Sequence, residues 1–151
     1  MYNFYTHIAT NPDRCRHFAC GESLLTMFQC GLETKYADLW SHYNYIVYVI
    51  EGRKIWHTAT GSFELNQGDC VFIQKGSAIV EQFFDADFCL FLFFIPDDFI
   101  CDVLKRKSKP ITQPGVAFGQ VINIERNLSV EVFFQSMRSY FEANVEPDKS
   151  L

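Results

Sequence analysis

Between residues 45 and 76, short runs of β-branched and aromatic residues alternate with glycine-containing turn signals. The turn signals are Glu51-Gly52, Thr60-Gly61, Gly68-Asp69 and Lys75-Gly76. Short runs rich in Val, Ile, Tyr and Phe and bounded by glycine are typical of consecutive antiparallel strands. Several such strands at intervals of roughly ten residues favour a sandwich or barrel over an α/β fold.

The same pattern predicts further strands on both sides of this stretch. We predict strands at 23–30, 45–50, 53–58, 62–66, 70–74, 78–84, 88–95 and 121–124, with a strand and a loop at 33–43. The first 22 residues are interpreted as a short strand and a loop. The run 88–95 is apolar throughout, which predicts a fully buried strand. It is far shorter than the ~20 residues that a membrane helix needs.

After residue 95 the apolar residues recur at helical spacing, which predicts two helices. The first has Asp97 and Asp98 at its start and basic residues at 105–107, an order that the helix dipole favours. The second begins at Asn127 and carries an amphipathic stripe, which either packs against the barrel or forms part of a dimer interface. The candidate residues for that interface are Leu128, Phe133, Met137 and Phe141.

The charge and the N-terminus narrow the functional classes. A net charge of −5 argues against a segment that grips a phosphate backbone, because nucleic-acid binders usually carry a basic face. The chain does not start with an apolar segment preceded by positive charge, so we expect no export signal and a cytoplasmic protein. Its end at residue 151 looks like an inter-helix turn, which suggests that the sequence is part of a longer protein.

The six cysteines favour reduced thiols over a metal site. Cys70, Cys89 and Cys101 lie inside apolar runs, where cysteine behaves as a small hydrophobic residue. Three cysteines near the N-terminus and one histidine between them offer possible zinc ligands: Cys15, His17, Cys20 and Cys30. Their spacing contains no CxxC pair and does not match a zinc finger or ribbon. We therefore expect no metal and no cofactor.

The phrases YVIEG and GSFELNQGDCVFIQKGS resemble the two motifs of the cupin family, a double-stranded β-helix barrel. Counted from Gly52 and from Gly68-Asp69, the positions that hold metal in cupins fall on Asp38, Trp40, Tyr45 and Ile79. Of these, Asp38 alone is a possible ligand, and one carboxylate does not hold a transition metal. Metal-dependent cupin chemistry is therefore not expected here.

Residues 20–145, with the phrases GDCVFIQKG, FLFFIPDDF and FFQSMRSYFE, resemble the N-terminal domain of AraC-type transcription regulators. The resemblance implies a cupin-like jelly-roll barrel at 1–110, all-β with appended helices, and a helical linker and dimerisation segment at 111–151. It also implies a homodimer that senses a small-molecule effector or a regulatory protein. DNA would be bound only by a C-terminal domain that lies outside this chain, and no membrane is involved.

A small effector would occupy the barrel interior, for which we predict the pocket Asp38, Trp40, Tyr45, Val47 and Ile79. Strand alternation places Tyr45, Val47 and Val49 on one face. The aromatic walls suit a sugar ring or a planar effector, and they equally suit a barrel filled by its own side chains. The alternative is a free-standing cupin that binds a sugar-like molecule, or a metal-independent enzyme. Catalytic groups for that enzyme would come from Asp38, His57 and Glu81; otherwise we expect no enzymatic activity.

Overall fold

The computed structural model describes residues 1–29, 34–85, 87–107, 119–148 and 150. In chain order the strands are β1 Tyr2–Asn3, β2 His17–Cys20, β3 Ser23–Gln29, β4 Tyr36–Ser41, β5 Asn44–Glu51, β6 Arg53–Thr58, β7 Gly61–Asn66, β8 Cys70–Ile73, β9 Gly76–Gln82, β10 Cys89–Ile95 and β11 Val121–Asn123. The helices are α1 Phe4–Ala9, α2 Asp97–Arg106 and α3 Leu128–Ala143. No helix within these residues is long and apolar enough to cross a membrane.

The strands form two sheets that face each other. One sheet has the order β1-β4-β9-β6-β7 and the other β11-β8-β5-β10-β3-β2. β1 runs parallel to β4, and the other pairings between described strands are antiparallel. From β3 to β6, and again from β7 to β10, each connection passes from one sheet to the other. This alternation makes a jelly-roll barrel, and the predicted all-β fold with appended helices is confirmed.

Most element boundaries agree with the sequence pattern, but the N-terminus does not. Residues 1–22 contain the helix α1, which we did not predict because its six residues are too few to show a period. Asn3 caps it by accepting a hydrogen bond from the Thr6 amide at 2.9 Å, and Phe4 and Ile8 point into the barrel core. The proposed domain boundary at 110/111 and the ligand candidate Cys30 lie outside the described residues.

Two apolar layers explain the continuous hydrophobic run in β10. Leu90, Leu92 and Phe94 face the space between the sheets, whereas Phe91 faces outward and packs under α3. The neighbouring strand β5 follows the same rule, with Tyr45, Val47 and Val49 inward as predicted. The outward layer of the six-stranded sheet is completed by residues of α3, namely Phe134, Met137 and Phe141. The barrel therefore has one core between its sheets and a second between the six-stranded sheet and α3.

Candidate functional site

The barrel interior is filled by side chains. The cavity between the sheets measures about 20 Å³, which is close to the space that one water molecule occupies. Tyr45 is 2% exposed, and its ring packs against Phe4 at 5.9 Å and Phe94 at 5.6 Å between ring centroids. Its hydroxyl accepts a hydrogen bond from the Trp56 indole at 3.3 Å, and burial raises the pKa of Tyr45. In this conformation the interior has no room for a sugar ring.

A lysine lies inside this filled interior. Lys54 is 4% exposed; its Nζ donates to Oε1 of Gln82 at 2.9 Å and lies 4.4 Å from the centroid of the Phe88 ring. Gln82 in turn donates from Nε2 to the Thr34 carbonyl at 2.7 Å. Sequence reasoning did not single out Lys54, although it shares the strand face of Trp56 two residues later. The position of Lys54 on the same strand face as Trp56 could have indicated that it is buried, but a charged residue was not expected on a buried face.

The five residues of the predicted pocket do not meet. Tyr45 and Val47 lie in the core, but Asp38, Trp40 and Ile79 lie on the outer face of the five-stranded sheet. Trp40 is 40% exposed and Ile79 44% exposed, so the prediction that they join Tyr45 is wrong.

The inward positions of β4 are Ala37 and Leu39 instead. The mapping counted back from Gly52 across the bend at residues 42–43, and a shift of one residue there exchanges the two faces of a strand.

The three residues nominated for catalysis also lie on this outer face. The imidazole of His57 contacts Ser62 Oγ through Nδ1 at 2.7 Å and Glu81 Oε2 through Nε2 at 3.0 Å. This contact and the ammonium of Lys35, 3.4 Å from Oε1, hold the pKa of the Glu81 carboxyl below its usual value. Asp38 pairs in register with Ile79, not with these groups.

A chain of hydroxyl, imidazole and carboxylate can relay a proton, but Ser62 is exposed and His57 is about one third exposed. The chain therefore lies on an open sheet face, where water competes with any bound substrate. Its immediate effect is to cross-link β6, β7 and β9.

Two apolar cavities lie on the other side of the molecule, against the outer face of the six-stranded sheet. They measure about 240 and 270 Å³, roughly ten times the volume of the interior cavity. Phe93 of β10 and Phe133 of α3 line both of them. We call the first, which also touches α2 through Phe99, the α2-side groove, and the second, which also touches Ile124, the β11-side groove.

α3 is held over this sheet by stacked rings and by an arginine near each end. Phe134 stacks on Tyr48 with 4.6 Å between ring centroids and 9° between planes. Arg126, just before the helix, binds Asp69 Oδ1 and the Gln67 carbonyl, both at 3.0 Å. At the other end, Arg16 donates to the Phe141 carbonyl at 2.9 Å. Asp69 also accepts from the Asn66 amide at 2.8 Å, so the predicted Gly68-Asp69 turn both exists and anchors α3.

This packing corrects half of the predicted dimer interface. Met137 is 3% and Phe141 7% exposed, because both lie beneath α3 against the barrel. They are unavailable to a partner while the helix is docked. Phe133 is half-buried between the two grooves, and Leu128 is 75% exposed. An apolar stripe shows that a helix face is covered, and the barrel covers most of this one.

The cysteines divide by burial. Cys15, Cys70 and Cys89 are buried, and burial raises the pKa of the Cys70 thiol to about 11. Cys101, expected in an apolar environment, is exposed on α2, because its helix carries apolar residues on only part of its surface. Within the described residues, no group of three or more His, Cys, Asp or Glu side chains is placed to hold a metal ion.

Solved structures of ToxT share this fold over most of the chain. ToxT from Vibrio cholerae matches with a TM-score of 0.59 and 9% identity, over 82% of this chain and 49% of that chain. ToxT bound to (E)-4-(8-methylnaphthalen-1-yl)but-3-enoic acid matches with a TM-score of 0.51 and 9% identity, over 78% of this chain and 48% of that chain. EutQ from Salmonella typhimurium matches with a TM-score of 0.46 and 16% identity, over 54% of this chain and 68% of that chain. The chain thus spans about half the length of ToxT.

The family is established by sequence. The family model described as ExsA N-terminal regulatory domain matches residues 44–151, more than two thirds of the chain. The chain therefore belongs to this family, the regulatory domains of AraC-type transcription regulators, as the motifs indicated. A search of curated protein sequences finds no match.

Proposed function

We propose that this regulatory domain receives its signal on the outer face of the six-stranded sheet, and that α3 passes it to a DNA-binding domain on the C-terminal side. The observation that carries the proposal is the contrast in volume. The interior cavity measures about 20 Å³, whereas the grooves beside α3 measure about 240 and 270 Å³. Ligand pockets typically measure about 300–1,000 Å³, and of these three cavities between described residues the two outer grooves approach that size.

α3 is suited to the relay because every occupant of either groove touches it. Phe133 lines both grooves, and its ring contacts that of Phe134 at 5.0 Å, edge to face. An effector shifts a regulator only if it binds two arrangements with unequal affinity. A ligand or a regulatory protein that wedges under Phe133 meets this condition, because it favours one position of α3 over another.

Substitution of a groove residue tests this relay in the full-length regulator. Ser129 lines the β11-side groove, and Ser129→Trp would fill it without replacing any core side chain. We expect a changed DNA affinity of at least several-fold, with an unchanged circular dichroism spectrum. Ser77→Trp, at an exposed position on the outer face of the other sheet, is the matched control. An unchanged affinity for Ser129→Trp in a folded protein would contradict the proposal.

The proposal includes a homodimer formed through the exposed strip of α3. Leu128 is 75% exposed and Val132 is 56% exposed, and at a separation of four residues they share one helix face. Large exposed apolar side chains that adjoin one another favour an interface.

Because an AraC-type regulator acts on DNA, we place the full-length protein in the cytoplasm.

Sedimentation analysis tests the dimer directly. Leu128→Asp combined with Val132→Asp should convert a dimer into a folded monomer, because neither side chain supports the barrel. Leu104→Asp on α2, where the side chain is 44% exposed, should leave the dimer intact. A chain that is monomeric at all concentrations, or a dimer that survives the double substitution, would exclude this interface.

The proposal contains no catalytic step. His57 and Glu81 form the only pair among the three nominated groups that meets in the described part of the chain, and this pair lies on an open sheet face. Convergent groups in a water-excluding pocket are what an enzyme would need. A binding and relay function requires no such site.

A further inference from the structure

The α2-side groove differs from the β11-side groove in the charge of its lining residues. Its walls are apolar and mostly aromatic, contributed by β2, β3, β10, α2 and α3: Phe18, Leu25, Phe93, Phe99, Phe133 and Met137. Among the described residues, the charged ones that line it are Glu146 and Asp148, which follow α3 on either side of Pro147. The β11-side groove is lined by no charged residue among those described.

Both carboxylates are available to an occupant of the groove. Glu146 and Asp148 are exposed, and the Asp148 carboxylate accepts a hydrogen bond from the Ser150 amide at 2.8 Å. The Ser150 hydroxyl donates to the same carboxylate, and these two contacts lower the pKa of Asp148, so it is anionic at neutral pH. Arg16 does not line the groove; its guanidinium lies over the rings of Phe18 and Phe141 and donates to a helix carbonyl.

We propose that the α2-side groove binds a small hydrophobic cation, with an apolar or aromatic body between α2, α3 and the sheet and a protonated amine at Glu146 and Asp148. The four aromatic rings in the walls favour an aromatic body, because aromatic rings pack well against one another. The net charge of −5 adds a general attraction for cations. A carboxylate of the same shape would meet two like charges at the rim.

The volume limits the size of the ligand. At about 240 Å³ the groove lies just below the usual range of ligand pockets, so it suits a body of one or two rings. This inference rests on the proposed function, since it names the ligand class for one of the two grooves that flank α3. Binding itself is measurable on the 151-residue chain without DNA.

Three probes of equal shape and different charge test the inference by calorimetric titration: naphthylethylamine, naphthylethanol and naphthylacetic acid. We expect the amine to bind about three- to tenfold more tightly than the alcohol, since exposed ion pairs contribute modestly. The acid should bind more weakly than either. The preference for the amine should decline as the salt concentration rises, because exposed charges are screened.

Two variants separate the charge from the apolar walls. The double substitution Glu146→Gln and Asp148→Asn should abolish the preference for the amine while leaving the affinity for the alcohol unchanged. Glu131→Gln, at an exposed position of α3, is the control for the loss of a negative charge elsewhere. Phe99→Ala should weaken the amine and the alcohol alike by several-fold, whereas Leu104→Ala on the same helix should weaken neither. Phe99 is 47% exposed, so its removal does not threaten the fold.

Three outcomes would overturn the inference. These are the absence of binding by the amine, equal binding of all three probes, and an amine preference that survives the double charge variant. If Phe99→Ala also dissociates a dimer, a second copy occupies the groove instead of a small cation. None of these results affects the Ser129→Trp test, which concerns the other groove, so the two proposals fail separately.

Discussion

Replacing Phe134 with alanine should detach α3 from the barrel and remove a large part of the stability of the domain. Phe134 is 3% exposed and is the ring through which α3 contacts the centre of the six-stranded sheet. It stacks on Tyr48 at 4.6 Å between ring centroids and lies 5.6 Å from the Phe91 ring. Alanine at this position leaves both partner rings facing an empty space.

The magnitude follows from these contacts. Burial of a phenylalanine contributes roughly 1.5–3 kcal/mol, and each aromatic pair adds about 0.5–1.5 kcal/mol. The higher helix propensity of alanine offsets about 0.5 kcal/mol. We expect Phe134→Ala to lower the free energy of unfolding by about 2–5.5 kcal/mol, a range that includes the ~3–5 kcal/mol found for buried Phe→Ala substitutions.

Urea unfolding followed by two signals provides the assay. Trp56 is 1% exposed inside the barrel, so its fluorescence reports on the barrel, whereas far-ultraviolet circular dichroism includes α3. Leu104→Ala on α2, where the side chain is 44% exposed, should change the free energy of unfolding by less than about 0.5 kcal/mol. A loss below about 1 kcal/mol for Phe134→Ala would refute the docking of α3. A loss that depends on protein concentration would place this ring in a dimer interface instead.

Two further predictions concern the barrel. Gly52 has φ of 80° and a Cβ there would lie 2.5 Å from the Asp87 carbonyl oxygen, so Gly52→Ala should lower the melting temperature much more than Gly21→Ala. At Gly21, φ is 59° and no atom lies within 4 Å of a Cβ, so Gly21→Ala adds only the backbone strain of about 1–2 kcal/mol. Equal losses of melting temperature in the two variants would contradict the clash at Gly52. Contacts with His57 and Lys35 lower the pKa of Glu81 in the folded protein below its ordinary value of 4.5. Between the folded and the unfolded pKa, the unfolded state binds more protons than the folded state, so the free energy of unfolding rises with pH. Denaturation at several pH values should therefore show the advantage of the native protein over Glu81→Gln fully above pH 4.5 and shrinking below it; an advantage that grows as the pH falls would contradict the lowered pKa.

Sequence reasoning succeeded where a local period reports on a local structure. β6 was predicted at its observed bounds, β5 and β10 to within one residue at each end, and the starts of α2 and α3 to within one residue. The reason is that each of these elements repeats its apolar positions several times along the chain. The family motifs lie in the same elements, which is why the resemblance to AraC-type regulators was visible and is confirmed. α1 was missed because six residues show no period.

The candidate site could be predicted only in part, because its faces depend on the third dimension. Periodicity assigned Tyr45 and Val47 to one face, which lies in the core. The count along the family motifs placed Trp40 and Ile79 on the wrong side, because it reached Trp40 across the bend before β5 and Ile79 across the turn between β8 and β9. The α2-side groove joins Phe18 to Glu146, more than a hundred residues apart, and no local pattern relates them.

By itself, the sequence determined most of the strands, the helices α2 and α3, the jelly-roll class and the regulatory family, because these follow from side-chain period, turn residues and short motifs. Tertiary structure alone decided that Lys54 is buried, that the barrel is filled and that α3 covers the six-stranded sheet. An apolar stripe states that a surface must be covered, but not by what. That choice depends on which surfaces the folded chain brings together, and here the barrel and α3 cover each other.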